Sequence, residues 1–323
     1  MNKKQIEKTI PCDDINCVLE HYTEKLGYSI ESIFPADNPR SAIVFKGESR
    51  IQLGTEEIIN TATIPPIKQS FTITELVSES AWIAGRAGMM YRDLIPDLQG
   101  GRFIASHIKI PDGGPVEDYV HYHKIRFQII YIHKGWVRLV YEDQGSPFIM
   151  KEGDCVLQPP EIRHQVLECS SSFEAIEVSC PAEHLTNVDY DLTLPTSVFQ
   201  PDRSYKGQIF HLHKSENAHC VPWYMSGFEY RDIGIAAATD GLASAQVGRF
   251  NRYDTLTNYS HNGEFLFMFV LKGNCILHCN GQKNLKTETA VVIPAQMNYS
   301  LKNCSDNFEI LEVVLPARKV SFV

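Results

Sequence analysis

Residues 114–135 read GPVEDYVHYHKIRFQIIYIHKG, and seventeen residues later 153–168 read GDCVLQPPEIRHQVLE. His121 and His123 stand two apart in an alternating run, so on a strand both imidazoles leave the same face. Gln128 follows after four intervening residues and Gly135 after six more. The second half carries Gly153, then Pro159, Glu161 and His164. His-x-His alone is a common accident, but the joint spacing of both halves is specific.

The two halves resemble the paired motifs of the cupin superfamily, written G-x5-HxH-x3/4-E-x6-G and G-x5-PxG-x2-H-x3-N. The resemblance implies a small β-barrel in which His121, His123 and His164 ligate a divalent transition metal, with Gln128 in the slot usually held by a carboxylate. Fe(II) is favoured, and Mn, Ni, Co or Zn are accepted by the same donors, one ion per chain. Three positions depart from the pattern: Gln128 for Glu, Glu161 for Gly and Glu168 for Asn. The first matters most, because an amide oxygen can ligate but brings no charge and no basicity. The competing reading is a metal-free barrel that keeps its histidines for packing.

The chain repeats itself. GMMYRDLIPDLQGGRF at 88–103 recurs as GFEYRDIGIAAATDGLASAQ at 227–246. Arg92 then matches Arg231, Gly135 matches Gly273 and Pro159 matches Pro294, at spacings of 139, 138 and 135 residues. Such a near-constant offset marks a duplicated domain. The expected fold is mainly β: two tandem cupin (jelly-roll) barrels, at 85–190 with the first barrel beginning near Arg86, and at 191–323. In the second copy His121 becomes Tyr259, His123 stays His261, Gln128 becomes Leu266 and His164 becomes Tyr299. His261 and Glu264 could still hold something, but the second barrel is read as kept for packing. His211 and His213, a strand-like pair, lie outside the motif positions.

Ahead of the barrels, residues 1–60 suggest a small α+β unit of β-α-β-β-β order. Asp13 and Asp14 can cap a helix whose Val18, Leu19, Tyr22 and Leu26 share a face, and Gly27 ends it. Its phrase HYTEKLGYSIESIFPADNPR resembles one module of the vicinal-oxygen-chelate (glyoxalase-like) group. Enzymes of that group pair two modules around a metal. Here one stands alone without a ligand set, which implies a structural or oligomerisation role. Residues 61–84 read as an extended linker.

Thirty basic against thirty-nine acidic residues give a net charge of −9, which argues against a nucleic-acid or anionic-membrane surface. No signal peptide or transmembrane run is apparent. Nine cysteines without metal or redox spacing read as reduced thiols. A cytoplasmic protein, a homodimer, is expected. For the site, Tyr119, Ile130 and Ile132 are expected to wall the pocket, with Arg92, Arg126, Arg138 and Arg163 as candidate carboxylate clamps and His184 at the rim. Bicupins similar in architecture include ring- and diketone-cleaving dioxygenases. The resemblance therefore implies oxidation of a small chelating molecule, anionic when bound: an organic acid, a phenol or a diketone. A metal-containing binder or sensor, or an isomerase or lyase, is the alternative.

Overall fold

A computed structural model describes residues 5–36, 38–56, 58, 62–78, 81–85, 88–251, 257–317 and 321–322. The expected start of the first barrel near Arg86 lies outside the described residues. The chain is mainly β, as two tandem barrels require.

Strand alternation explains how the barrels meet. Along Phe127–Lys134 and Phe173–Cys180, one set of side chains (Ile130, Ile132, Phe173, Ala175) fills the first barrel. The other set (Phe127, Ile129, Tyr131, Ile176, Val178, Cys180) packs outward. The second barrel does the same on Phe265–Lys272 and Glu309–Leu315: Leu266, Met268, Val270 and Ile310 point in, while Phe265, Phe267, Phe269, Leu311 and Val313 point out. The two outward faces form one shared core, with Phe103 and Phe265 stacked at 4.1 Å between ring centres. Strands buried on both faces read as continuous apolar runs, and FLFMFVL is such a run.

The duplication reaches into the details. Gly135 and Gly273 both have φ +74°. A Cβ on Gly135 would fall 2.2 Å from Ser170 Oγ, and one on Gly273 would fall 2.3 Å from Ser305 Oγ. Each serine oxygen accepts the next backbone N–H, that of Trp136 or Asn274, at 3.0 Å. Cross-barrel ion pairs are exchanged in the same way: Lys134 reaches Glu288 at 2.6 Å, and Lys272 reaches Glu152 at 3.2 Å. The second pair is half exposed and contributes little.

The N-terminal unit has the β-α-β-β-β order. Asp14 caps helix Ile15–Glu20 by accepting from the N–H groups of Asn16 and Cys17. The helix then widens into a π turn, His21–Lys25, before Gly27 at φ +68°. That widening breaks the 3.6-residue rhythm, so Leu26 is 40% exposed rather than sharing the buried face. Val18, Leu19 and Tyr22 do pack on Ile15, Ile33, Ala42, Val44, Ile51 and Leu53. This unit does not sit apart from the barrels. Its strand Ser29–Phe34 pairs with Thr186–Val188, which pairs with His121–His123, so its sheet continues directly into the first barrel.

Two further segments cross the expected divisions. Thr72–Thr74, within the linker, adds a strand to Ala290–Val292 of the second barrel. His211–His213 pairs with Cys155–Leu157 of the first. All nine cysteines are free thiols. Cys155, Cys169 and Cys180 are buried, and burial raises the Cys169 and Cys180 thiols to about 11.

Replacing Gly135 by alanine forces a left-handed backbone on a Cβ and drives that carbon into Ser170. The expected loss is about 1–2 kcal/mol for the backbone alone, read as a lower midpoint in denaturant unfolding. An unchanged midpoint would contradict the close turn.

Candidate metal centre

Two paired strands bring the histidines together, and a third supplies Thr186. His121 is paired directly across from His164, and two residues along the same strand His123 stands across from Thr186. All three imidazoles are buried, and their donor nitrogens lie within 4.8 Å of one another.

Hydrogen bonds fix which nitrogen each ring offers. His121 Nδ1 lies 2.8 Å from the Tyr119 carbonyl, and His164 Nδ1 lies 3.1 Å from that of Ile162. A carbonyl only accepts, so each Nδ1 carries a proton, and in the neutral ring Nε2 keeps its lone pair. His123 Nδ1 lies 2.9 Å from the Thr186 hydroxyl, which can accept from it in the same way when that nitrogen carries the proton. Three neutral rings anchored through Nδ1 are the arrangement metal-binding histidines adopt. The donor set therefore fits a divalent ion.

Gln128 faces this group from the opposite sheet as part of a polar chain. The Tyr141 hydroxyl donates to Gln158 Oε1 at 2.5 Å, and Gln158 Nε2 donates to Gln128 Oε1 at 2.9 Å. Gln128 Nε2 in turn donates to Glu177 Oε1 at 2.8 Å, where the Ser179 hydroxyl also donates. Because a carboxylate can only accept, the chain's direction sets both amide orientations. Gln128 thus turns its nitrogen to Glu177 and its oxygen to Gln158, whose Nε2 is also 3.4 Å from His164 Nε2. Burial, and after it the neighbouring Cys155 and Glu177, hold the Tyr141 hydroxyl well above its usual range, so it stays a donor.

The histidines line a cavity with room for about 80 Å³ of water-sized occupants. Gln128, Gln158 and Glu177 share the polar end, and Met89, Ile108, Ile130, Leu139, Val166 and Phe173 are among the apolar walls.

The expected clamps are elsewhere, and their partners explain why. Arg126 is paired with Glu264 of the second barrel at 2.7 Å, Arg138 with Glu168 at 3.1 Å, and Arg163 with Asp189 at 3.0 Å. Arg92 is fully buried between the barrels, where it donates to His107 Nδ1 at 2.9 Å and to the Glu288 carbonyl at 3.2 Å. Among the described residues, no arginine or lysine lines the cavity. Tyr119 serves through its backbone, Ile130 lines the wall as expected, and Ile132 packs in the barrel core. His184 is not a rim residue: it is buried behind the site, its ring 5.3 Å from that of His123. Glu161 occupies the motif's glycine position at φ +67°, held by Lys124 and Lys206.

A second group, His107, His133 and Glu174, also gathers within 4.8 Å. Its chemistry does not suit a metal. His107 Nδ1 accepts from Arg92, so Nε2 must carry the proton it gives to Glu174 at 2.8 Å. No lone pair remains on His107 for an ion, and burial further depresses that ring's basicity. In the second barrel His261 is likewise committed: its Nε2 donates to the Ile293 carbonyl at 2.7 Å. Glu264 is held by Arg102 and Arg126. Tyr259, Leu266 and Tyr299 are buried in that barrel's apolar core.

Metal content should be close to one per chain, abolished in His121→Ala/His123→Ala and retained in His261→Ala and in His107→Ala. Two equivalents per chain, or loss in either single variant, would contradict this assignment. Gln128→Glu places two carboxylates where Gln128 now donates to Glu177. The metal-free variant should lose about 1–3 kcal/mol of unfolding free energy, measured by denaturant titration.

No protein-family model matches the chain, and no curated protein matches it. Solved structures do. An oxalate decarboxylase from Lactobacillus farciminis, in complex with formate, aligns with a TM-score of 0.57 at 12% identity, covering 80% of this chain and 91% of its own. The Escherichia coli protein Ylba aligns at 0.55 and 10%, covering 81% and 96%. The oxalate decarboxylase from Bacillus subtilis at pH 4.6 aligns at 0.53 and 11%, covering 73% and 74%. At such identities the likeness shows the fold, and that fold is the tandem cupin.

Proposed function

We propose that the chain is a metal-dependent bicupin whose first barrel binds a small chelating molecule and oxidises it in the manner of a non-haem dioxygenase. The observation that carries the reading is the convergence of three Nδ1-anchored imidazoles at the polar end of an otherwise apolar cavity. Fe(II) is the favoured ion. A bound divalent metal would supply Lewis acidity toward the chelating oxygens and, when redox-active, a path for electrons to O₂.

Charge narrows the ligand. Three neutral imidazoles leave the ion's two positive charges intact, and the Glu177 carboxyl lines the same cavity and, when ionised, offsets one of them. A ligand bearing one negative charge completes the neutralisation. A dianion such as oxalate would leave an excess buried charge with no arginine or lysine on the described walls to meet it, which is costly. Enolisable diketones and phenols fit on both counts, because they bring a single charge and an apolar body. The protein's own residues would then hold the ligand against the Ile and Leu walls, exclude water, and keep the Gln128–Glu177 pair facing its head group.

A second reading, a metal-containing binder without oxygen chemistry, is favoured by one feature: Gln128 stands where a basic carboxylate is usual, and it cannot accept a proton at neutral pH. Oxygen uptake separates the two. Iron-loaded protein given a β-diketone with an aliphatic tail should consume O₂, while oxalate should give none. Tight diketone binding without O₂ uptake would favour the binder, and failure of either diketone or phenol to bind would overturn the ligand class.

A further inference from the structure

The cavity wall includes one residue from outside the barrels. Ala36 lies in the N-terminal unit, between strands Ser29–Phe34 and Ser41–Lys46, and is the only one of the described residues before Met89 that lines the cavity. It follows strand Ser29–Phe34, the strand through which that unit joins the barrel sheet.

Its position is fixed from several sides. The Ala36 N–H donates to the His184 carbonyl at 3.1 Å, and the ring of His184 stands beside that of His123. Arg40, closing the same turn, donates from its backbone to the Phe34 carbonyl at 2.8 Å. Its guanidinium pairs with Glu183 at 2.9 Å and with Glu56 at 2.6 Å. The neighbouring ladder places Ile33 across from Thr186 and Thr186 across from His123, so the N-terminal strand backs the residue that orients a metal-site ring. A unit attached only for assembly has no reason to contribute a residue to the cavity lining or its strand to this ladder.

We infer that the N-terminal unit is built into the binding site as one of its walls, and that Ala36 is a specificity-determining position that limits the apolar body a metal-bound ligand can carry. This rests on the reading of the first barrel as a ligand-binding metal site. Alanine is the smallest residue that still presents a Cβ, so the space in front of it belongs to the ligand. A larger side chain there has little room to retreat, because its backbone is tied to His184 and its turn to Glu183. The wall then moves inward, and a long ligand is excluded while a short one still reaches the metal.

The test uses full-length protein loaded with cobalt(II), whose visible absorption responds to added ligands. The probes are imidazole, a bare metal-binding head, and 4-phenylimidazole, the same head with an apolar body. Wild type should prefer 4-phenylimidazole. Ala36→Phe should keep one cobalt per chain and its imidazole affinity, and lose about tenfold or more toward 4-phenylimidazole, as overpacking costs require. Ala36→Val should show a smaller loss in the same direction, and it serves if the phenylalanine variant does not fold. Equal affinities for 4-phenylimidazole in wild type and both variants would overturn the wall while leaving the metal site standing. A wild-type protein that holds cobalt but takes up neither probe would overturn the ligand-binding reading itself.

Discussion

His121 lies directly across from His164, and His123 directly across from Thr186, in adjoining antiparallel pairs. This register governs the site. Side chains alternate with a period of two, so a one-residue slip would turn both His121 and His123 out of the barrel. The same register delivers the Thr186 hydroxyl to His123 Nδ1, while the Tyr119 and Ile162 carbonyls, each two residues upstream, meet Nδ1 of His121 and His164. The row extends through Thr186 to Ile33 of the N-terminal unit. Fold and donor geometry are thus one set of backbone pairings.

The duplicated barrel is an internal control on that argument. It keeps the turn glycine, the serine that accepts behind it and the exchanged lysine–glutamate pair. At three of the four ligand-motif positions it has Tyr259, Leu266 and Tyr299 instead, and these join an apolar core. Without its companions His261 commits Nε2 to a backbone carbonyl. The fold therefore does not require the histidine cluster. What the first barrel preserves, at some cost in buried polarity, is a chain running from Tyr141 through Gln158 and Gln128 to Glu177, with each donor matched to an acceptor.

Some of this is legible in the sequence, and the rest is hidden for definable reasons. The histidine spacing and the repeat can be read because both are local patterns at fixed intervals. Gln158 stands beside the motif proline, yet its role depends on Gln128 thirty residues away and on another strand. Glu177 carries no signal at all: EAIEVSC offers Glu174 and Glu177, and only the pairing shows that one faces the gap between barrels and the other the cavity. The arginines mislead for the same reason. Their chemistry suits a carboxylate, but Arg92, Arg126, Arg138 and Arg163 each meet partners from distant parts of the chain. Leu26 leaves its expected face because a π turn, invisible in the residue pattern, shifts the helical phase. The N-terminal unit is legible as a unit, and its attachment to the metal strand is not, since that needs a pairing across some 150 residues, from Ile33 to Thr186.

The most direct test of the account is the X-ray absorption spectrum of the metal-loaded protein. Three imidazole ligands about 2.0–2.2 Å from the metal, completed by lighter oxygen scatterers and with no sulfur, are what the Nδ1-anchored triad predicts. A shell with fewer than two imidazoles, or with thiolate sulfur at about 2.3 Å, would contradict it.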